Sequence, residues 1–356
     1  MHKYKTELKI IQILSDGKYH SGTSIASQLN ITRSAVSQSI AKFQLWGLTV
    51  FSVKGKGYKI LDKLNLFKKI EFENEGITVY ESIEERTILT YQGLLPVGGT
   101  SKNLMEPAIF LRPILDSTNQ YLINNMEDLV KGDACLAEYQ YSARGRRGRR
   151  FYAPFGCNLY FSFYWQMSLE RDFIPPLSLV IGMLTVDTLK SFGVKDLKLK
   201  WPNDIYLNDK KLGGILIETK IKGKGINIII GIGLNLTMNT VDPQIVKQNW
   251  ISLIQMRYEL DKNALAIELR KNLFKGLVQY QLKGFNSFFL NWPSYDCFNL
   301  GAHVTLSSDE EVISGTYRGI DRDGSIKLEV ETPDSKSLTH GIITRRVGDI
   351  SLRKTI

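Results

Sequence analysis

Residues 143–165 read ARGRRGRRFYAPFGCNLYFSFYW, and their second half constrains the fold most. The stretch GCNLYFSFYW is long, aromatic and alternating, with Leu159, Phe161 and Phe163 on one face. Such a strand needs a sheet and a packed layer over that face. Five arginines and two glycines run directly into it. Glycines let backbone N–H groups approach an anion closely. Arginine offers planar, bidentate recognition of phosphate. Taken alone, the run serves a nucleic-acid surface equally well. A core strand beginning at Phe151 argues instead for an ordered, partly buried loop that closes over a small phosphoanhydride and excludes water.

The charge of the chain is unevenly placed. Residues 1–60 hold nine basic side chains against Glu7 and Asp16, so they carry +7 of a net +10. A basic module on a near-neutral body points to nucleic acid bound by the module. Tyr4, Leu8, Ile11 and Leu14 recur at helical spacing, and Asp16-Gly17 ends that helix. A second helix carries Ile25, Ala26 and Leu29. After a turn at Asn30-Ile31, Thr32 caps a third with Val36, Ile40 and Phe43 inward. Arg33, Ser34, Ser37 and Gln38 then face outward on its early turns, where a recognition helix meets base edges. LTVFSVKGKGYKIL follows as a hairpin wing, with Lys54 and Lys56 at its tip for phosphates. The expected module is a winged helix-turn-helix over residues 1–64.

With 356 residues and 43% hydrophobic content, the chain can bury full cores in two or three domains. Cys135, Cys157 and Cys297 form no CxxC pair, which excludes a zinc ribbon or a disulfide framework and fits a reducing compartment. The start lacks a secretory pattern and no apolar run approaches a membrane span, so a cytoplasmic protein is expected.

Residues 65–112 are expected to be a linker or insertion, with LLPVGGTSKNLMEP as a loop. From 113 to 298, apolar strands alternate with amphipathic helices, as in an α/β (α+β) domain on a mixed sheet. KWPND (200–204) reads as a strand leading into a turn. In KKLGGILIE (210–218), Lys211 precedes Leu212-Gly213-Gly214, so its amine sits beside backbone that a ligand can approach. A lysine there can balance both a carboxylate and an α-phosphate, the charge problem of joining an acid to ATP. GIGLN (231–235) adds a glycine-lined strand end that could admit a flat ligand. Residues 299–356 hold short strands split by turns.

These motifs together resemble the bifunctional biotin protein ligases that also repress the biotin operon. The matching stretches are DSTNQYL, GDACLAEYQ, RGRRGRRFYAPFGCNLYFSFYW, SLVIG, KWPNDIYL, KLGGILIE, IGIGLN and GDISLR, in the family's order. The resemblance implies that biotin and ATP with Mg²⁺ form biotinyl-5′-AMP. The biotinyl group then passes to a lysine of a biotin carboxyl carrier protein, a subunit of acetyl-CoA carboxylase. It implies that Ser117, Thr118, Asn119 and Gln140 bond the biotin head group, and that Arg144, Arg146 and Arg147 fold over the adenylate with Phe151 as an apolar wall. Lys211 would hold the carboxylate and α-phosphate, and Gly214, Gly231 and Gly233 would line the biotin slot. Asn203, Asn235, Trp250 and Arg353 would contact the nucleotide. It further implies an SH3-like barrel at 299–356, a homodimer when biotinyl-AMP is bound, and operator DNA of biotin synthesis genes as a partner.

Three departures stand out. Ala143 replaces the family's loop glycine, which would cost about 1 kcal/mol if that backbone needs positive φ. Phe151 replaces a tryptophan, and residues 65–112 are longer than expected. Two alternatives stay open: a ligand-sensing repressor without transferase activity, and a lipoate-type ligase.

Overall fold

The computed structural model describes residues 4–61, 64–91, 105–149, 151–168, 174–223, 225–239, 249–308, 311–334, 337–346 and 351–354. The amino-terminal module comprises α1 (Lys5–Leu14), α2 (Gly22–Leu29), α3 (Arg33–Phe43), β1 (Val50–Val53) and β2 (Gly57–Ile60). Ile10, Ile11, Leu14, Ile25, Val36, Ile40 and Phe43 form its core. Asn30 ends α2 in the left-handed region at φ 52°, and Thr32 caps α3 by accepting from the Ala35 N–H at 3.1 Å. Both devices were legible in the sequence. Arg33, Ser34, Ser37 and Gln38 are exposed on α3, and Lys54 and Lys56 at the hairpin tip. The wing is tied back at Gly57, whose φ is +102° and whose added Cβ would lie 2.1 Å from the His20 carbonyl oxygen. Only glycine allows that approach, which lets His20 and Tyr58 exchange backbone hydrogen bonds at 2.9 and 2.8 Å.

The central body continues with α4 (Lys69–Asn74), β3 (Val79–Tyr80), α5 (Ile83–Tyr91), β4 (Ile109–Leu115), α6 (Thr118–Asn124), β5 (Ala134–Gln140) and β6 (Asn158–Ser168). Then come α7 (Leu177–Ser191), β7 (Leu197–Lys200), β8 (Asp204–Leu207), β9 (Lys210–Lys222), β10 (Gly225–Asn235), α8 (Lys262–Lys283), α9 (Asn286–Phe289) and α10 (Trp292–Tyr295). Its strands form one mixed sheet in the order β3-β4-β5-β6-β10-β9-β8-β7, parallel from β3 to β5 and antiparallel beyond. Leu159, Phe161 and Phe163 lie in the core with buried residues of α7 and α8, as the alternation required. The opposite face carries Cys135, Tyr160, Tyr164 and Ile229 under Leu122 of α6.

The reading of 65–112 as a linker needs correction. Val79 and Tyr80 pair with Ile109 and Phe110, so part of that stretch is the edge of the sheet. Arg86 of α5 is buried and bonds buried Asp133 at 2.7 Å. Two-residue strands and charged helices carry too little periodicity to be recognised from sequence. Most of the expected loop at 94–107, its residues 94–104, lies outside the described residues.

The amino-terminal module packs on the body through an aromatic stack. Trp46 lies 5.8 Å from Phe155 and 6.0 Å from Tyr139, ring centre to ring centre. The Phe155 N–H donates to the Trp46 carbonyl at 2.9 Å. The last unit is an antiparallel sheet of β11 (His303–Ser307), β12 (Val312–Ile320), β13 (Ile326–Asp334), β14 (Ser337–Arg345) and β15 (Ser351–Lys354), in the order β14-β13-β12-β11-β15. No helix among the described residues is long and apolar enough to cross a membrane.

Candidate active site

Three neighbouring strands build the floor of the site. Across β6, β10 and β9, one row of directly paired residues is Tyr160–Gly233–Gly214 and the next is Ser162–Gly231–Leu216. Paired residues share a face. Glycine therefore removes side chains from two consecutive rows, and the gap is a slot. The following row, Tyr164–Ile229–Glu218, restores side chains and closes one end. The slot opens into a cavity of about 840 Å³, a size suited to a cofactor or nucleotide.

The polar end of the slot is a connected network. Gln140 Oε1 accepts from the Thr118 N–H at 2.7 Å and from Thr118 Oγ1 at 3.1 Å. Ser162 Oγ lies 2.7 Å from Thr118 Oγ1 and 2.5 Å from Asn119 Oδ1. Asn119 Nδ2 donates to Glu218 Oε2 at 2.8 Å. Ser117 caps α6, which fixes Thr118 and Asn119 in its first turn. Ser117, Thr118 and Asn119 are all buried.

The other end is cationic. Arg144, Arg146, Arg147, Arg149, Lys200 and Lys211 line the cavity, and Asp204 is its one carboxylate among the described residues. Lys211 Nζ pairs with Asp204 Oδ1 at 2.8 Å. Arg146 donates to Asn203 Oδ1 at 2.9 Å, and Arg144 reaches Glu218 Oε1 at 2.8 Å. Arg147 turns toward the carboxy-terminal sheet and donates to the Ser307 carbonyl at 3.4 Å. Such an excess of positive charge around a glycine-floored slot favours an anion bearing several charges.

Of the residues singled out from sequence, Ser117, Thr118, Asn119, Gln140, Arg144, Arg146, Arg147, Phe151, Asn203, Lys211, Gly214, Gly231, Gly233, Asn235 and Trp250 all line this one cavity. Trp250 forms an isolated bridge with Lys211, and Asn235 donates to the Ile251 carbonyl at 3.0 Å. Arg353 belongs to β15, but its side chain lies outside the described residues. Ala143 does not need the left-handed region. It is absent from the positive-φ positions, and its methyl is buried in the α6-side core. The demanding positions are Arg147 and Gly148, at φ 57° and 63°. Ser162, Asp204 and Glu218 also take part in this site, without a role assigned to them from sequence. A lone serine among the aromatics of β6 was the available signal for the first.

The comparisons agree with this geometry. The sequence model of the Biotin/lipoate A/B protein ligase family matches residues 111–235, and that of an HTH domain matches 6–59. The chain is 36% identical to the bifunctional ligase/repressor BirA of Escherichia coli over 348 residues, 97% of each chain. The Salmonella typhimurium counterpart is 34% identical over the same share. Among solved structures, the biotin protein ligase of Aquifex aeolicus in complex with biotin and ATP superposes with a TM-score of 0.59 at 26% identity, covering 70% of this chain and all of that one. Fold and site thus define an acid-activating ligase joined to a helix-turn-helix module. The chain belongs to the bifunctional biotin protein ligase/repressor family.

Proposed function

We propose that the glycine slot holds biotin and the cationic end holds the nucleotide, so that the two reacting groups meet at Lys211. A biotin carboxylate oxygen attacks the α-phosphorus of ATP, and pyrophosphate leaves. The amine of a carrier-protein lysine then attacks the acyl carbon, loses a proton, and AMP leaves. No enzyme nucleophile is required. Thr118, Asn119 and Gln140 face the biotin head group, with Ser117 fixing their turn. Gly214, Gly231 and Gly233 leave room for its rings, and Phe151 covers them. Lys211 lies between carboxylate and α-phosphate, where its charge offsets the two repelling anions. Arg144, Arg146 and Arg147 close over the adenylate, and Asn203, Asn235, Trp250 and Arg353 serve the nucleotide. The observation that carries this reading is a two-row glycine slot opening into a cavity whose lining, among the described residues, holds six cations and the single carboxylate of Asp204.

Mg²⁺ enters this scheme with the nucleotide. The one carboxylate that lines the cavity among the described residues suits a cation held mainly by substrate phosphates, since magnesium keeps waters and needs few protein ligands. The carrier is a biotin carboxyl carrier protein, the setting is cytoplasmic, and the five-stranded terminal sheet is an SH3-like barrel beside the basic loop.

The exposed face of α3 and the lysine-tipped wing bind operator DNA of biotin synthesis genes, and biotinyl-AMP acts as co-repressor. For ligand to promote a DNA-binding homodimer, the dimer must bind the adenylate more tightly than the monomer. Gel-shift titration with operator DNA tests this. Operator occupancy should rise with biotinyl-AMP, and the ratio of bound to free operator should scale with the square of protein concentration. Equal affinity with and without the adenylate would contradict the co-repressor role. Lipoate in place of biotin should support no adenylation.

A further inference from the structure

Glu218 ends the KKLGGILIE stretch and sits in the row that closes the slot, paired with Ile229. Its two oxygens have different partners. Oε1 accepts from Arg144 of the basic loop at 2.8 Å, and Oε2 accepts from Asn119 Nδ2 at 2.8 Å. Asn119 Nδ2 also points to the Leu216 carbonyl at 3.4 Å, while Asn119 Oδ1 lies 2.5 Å from Ser162 Oγ. That oxygen hangs directly over Gly231, where an added Cβ would be 2.4 Å away.

An asparagine amide can face either way, and its neighbours decide which. Ser162 cannot decide, because a hydroxyl both donates and accepts. The Leu216 carbonyl is distant. An ionised carboxylate only accepts, so it compels the NH₂ side of Asn119 toward itself. The carbonyl side is left over the slot floor, with a lone pair for a ligand N–H. Biotin's ureido ring presents such donors.

We propose that Glu218 is a positioning residue of the biotin slot: its carboxylate sets the orientation of the Asn119 amide, and the same group tethers Arg144 of the basic loop. This rests on the assignment of Asn119 to the biotin head group. The carboxylate links the two ends of the site without touching substrate. One of its oxygens fixes the acceptor that recognises the ring, and the other holds a cation intended for the adenylate.

Glu218→Gln tests this in the full-length protein. Glutamine matches the shape but can offer an NH₂ group to Asn119 and so permits the reversed amide. Biotin alone would be titrated calorimetrically into wild type, Glu218→Gln, Glu218→Asp, Asn119→Ala and the Asn119→Ala/Glu218→Gln double variant. KM for biotin and for ATP would be measured by pyrophosphate exchange. Glu218→Gln should weaken biotin roughly tenfold or more, the scale of a mis-set hydrogen-bonding group in a built site, and raise KM for biotin far more than KM for ATP. Glu218→Asp, which keeps the charge, should recover part of the loss. Adding Glu218→Gln to Asn119→Ala should cost no further affinity for biotin alone, because toward the biotin ring Glu218 acts through Asn119, while Arg144 serves the adenylate. Wild-type biotin affinity in Glu218→Gln, alongside a loss in Asn119→Ala, would overturn the positioning role alone. Full addition of the two losses would do the same. Wild-type affinity in Asn119→Ala would instead overturn the assignment of Asn119, and the proposal with it.

Discussion

Gly231 gives the sharpest single perturbation of the slot. In Gly231→Ala the new Cβ would lie 2.4 Å from Asn119 Oδ1 and 3.0 Å from both Asn119 Cγ and Nδ2. Ordinary carbon contacts begin near 3.5 Å, so Asn119 must retreat by about 1 Å. Its hydrogen bonds to Ser162 and Glu218, at 2.5 and 2.8 Å, leave no slack for that movement. Losing the geometry of one such bond costs about 1–3 kcal/mol, or roughly five- to 150-fold in affinity. Gly225→Ala, on the same strand but away from the cavity, is the control. Its Cβ would meet nothing closer than 3.6 Å, an ordinary van der Waals contact. It leaves the slot untouched. Calorimetric titration of biotin into both variants should therefore show Gly231→Ala much the weaker binder. Wild-type biotin affinity in Gly231→Ala would refute the reasoning, as would an equal loss in both.

Four further outcomes are expected. Lys211→Ala should lower adenylation by roughly 10²-fold or more, the scale of a lost charge-stabilising group, while gel shifts without ligand remain at the wild-type position. Replacing Lys54 and Lys56 together by alanine should weaken DNA binding for all sequences and flatten the slope of log K against log salt by about 2. Trp46→Ala removes a buried aromatic shared by both modules and should cost about 3–5 kcal/mol, seen as faster protease cleavage between them and a lower melting temperature. Cys135 and Cys157 are buried, and burial pushes the Cys135 thiol up, so a thiol reagent at neutral pH should label only Cys297 in the native protein.

The sequence shows the site more clearly than the frame that holds it. Lys211, the arginine loop and the glycines stand in short local motifs, and each motif exposes its chemistry in the residue types themselves. Their convergence needed the register of β6, β10 and β9, which no local pattern states. Glu218 illustrates the limit. It is an ordinary acid within a strand until the sheet brings it within reach of both Asn119 and Arg144, residues distant in sequence. The stretch from 65 to 112 failed for a different reason. Its short strands gain stability from pairing with neighbours rather than from their own alternation, so their signal is tertiary. At Ala143 the cost was conditional on a positive φ. Its backbone lies outside the left-handed region, so the condition is not met and the methyl adds packing.

The most direct measurement of the central claim is biotin-dependent exchange of pyrophosphate into ATP, followed by transfer to a biotin carboxyl carrier domain. A biotin protein ligase with this site should show both, exchange without the carrier and one biotin per acceptor lysine with it. Protein that binds biotinyl-AMP yet catalyses neither step would contradict the assignment of Lys211 and the basic loop to adenylation.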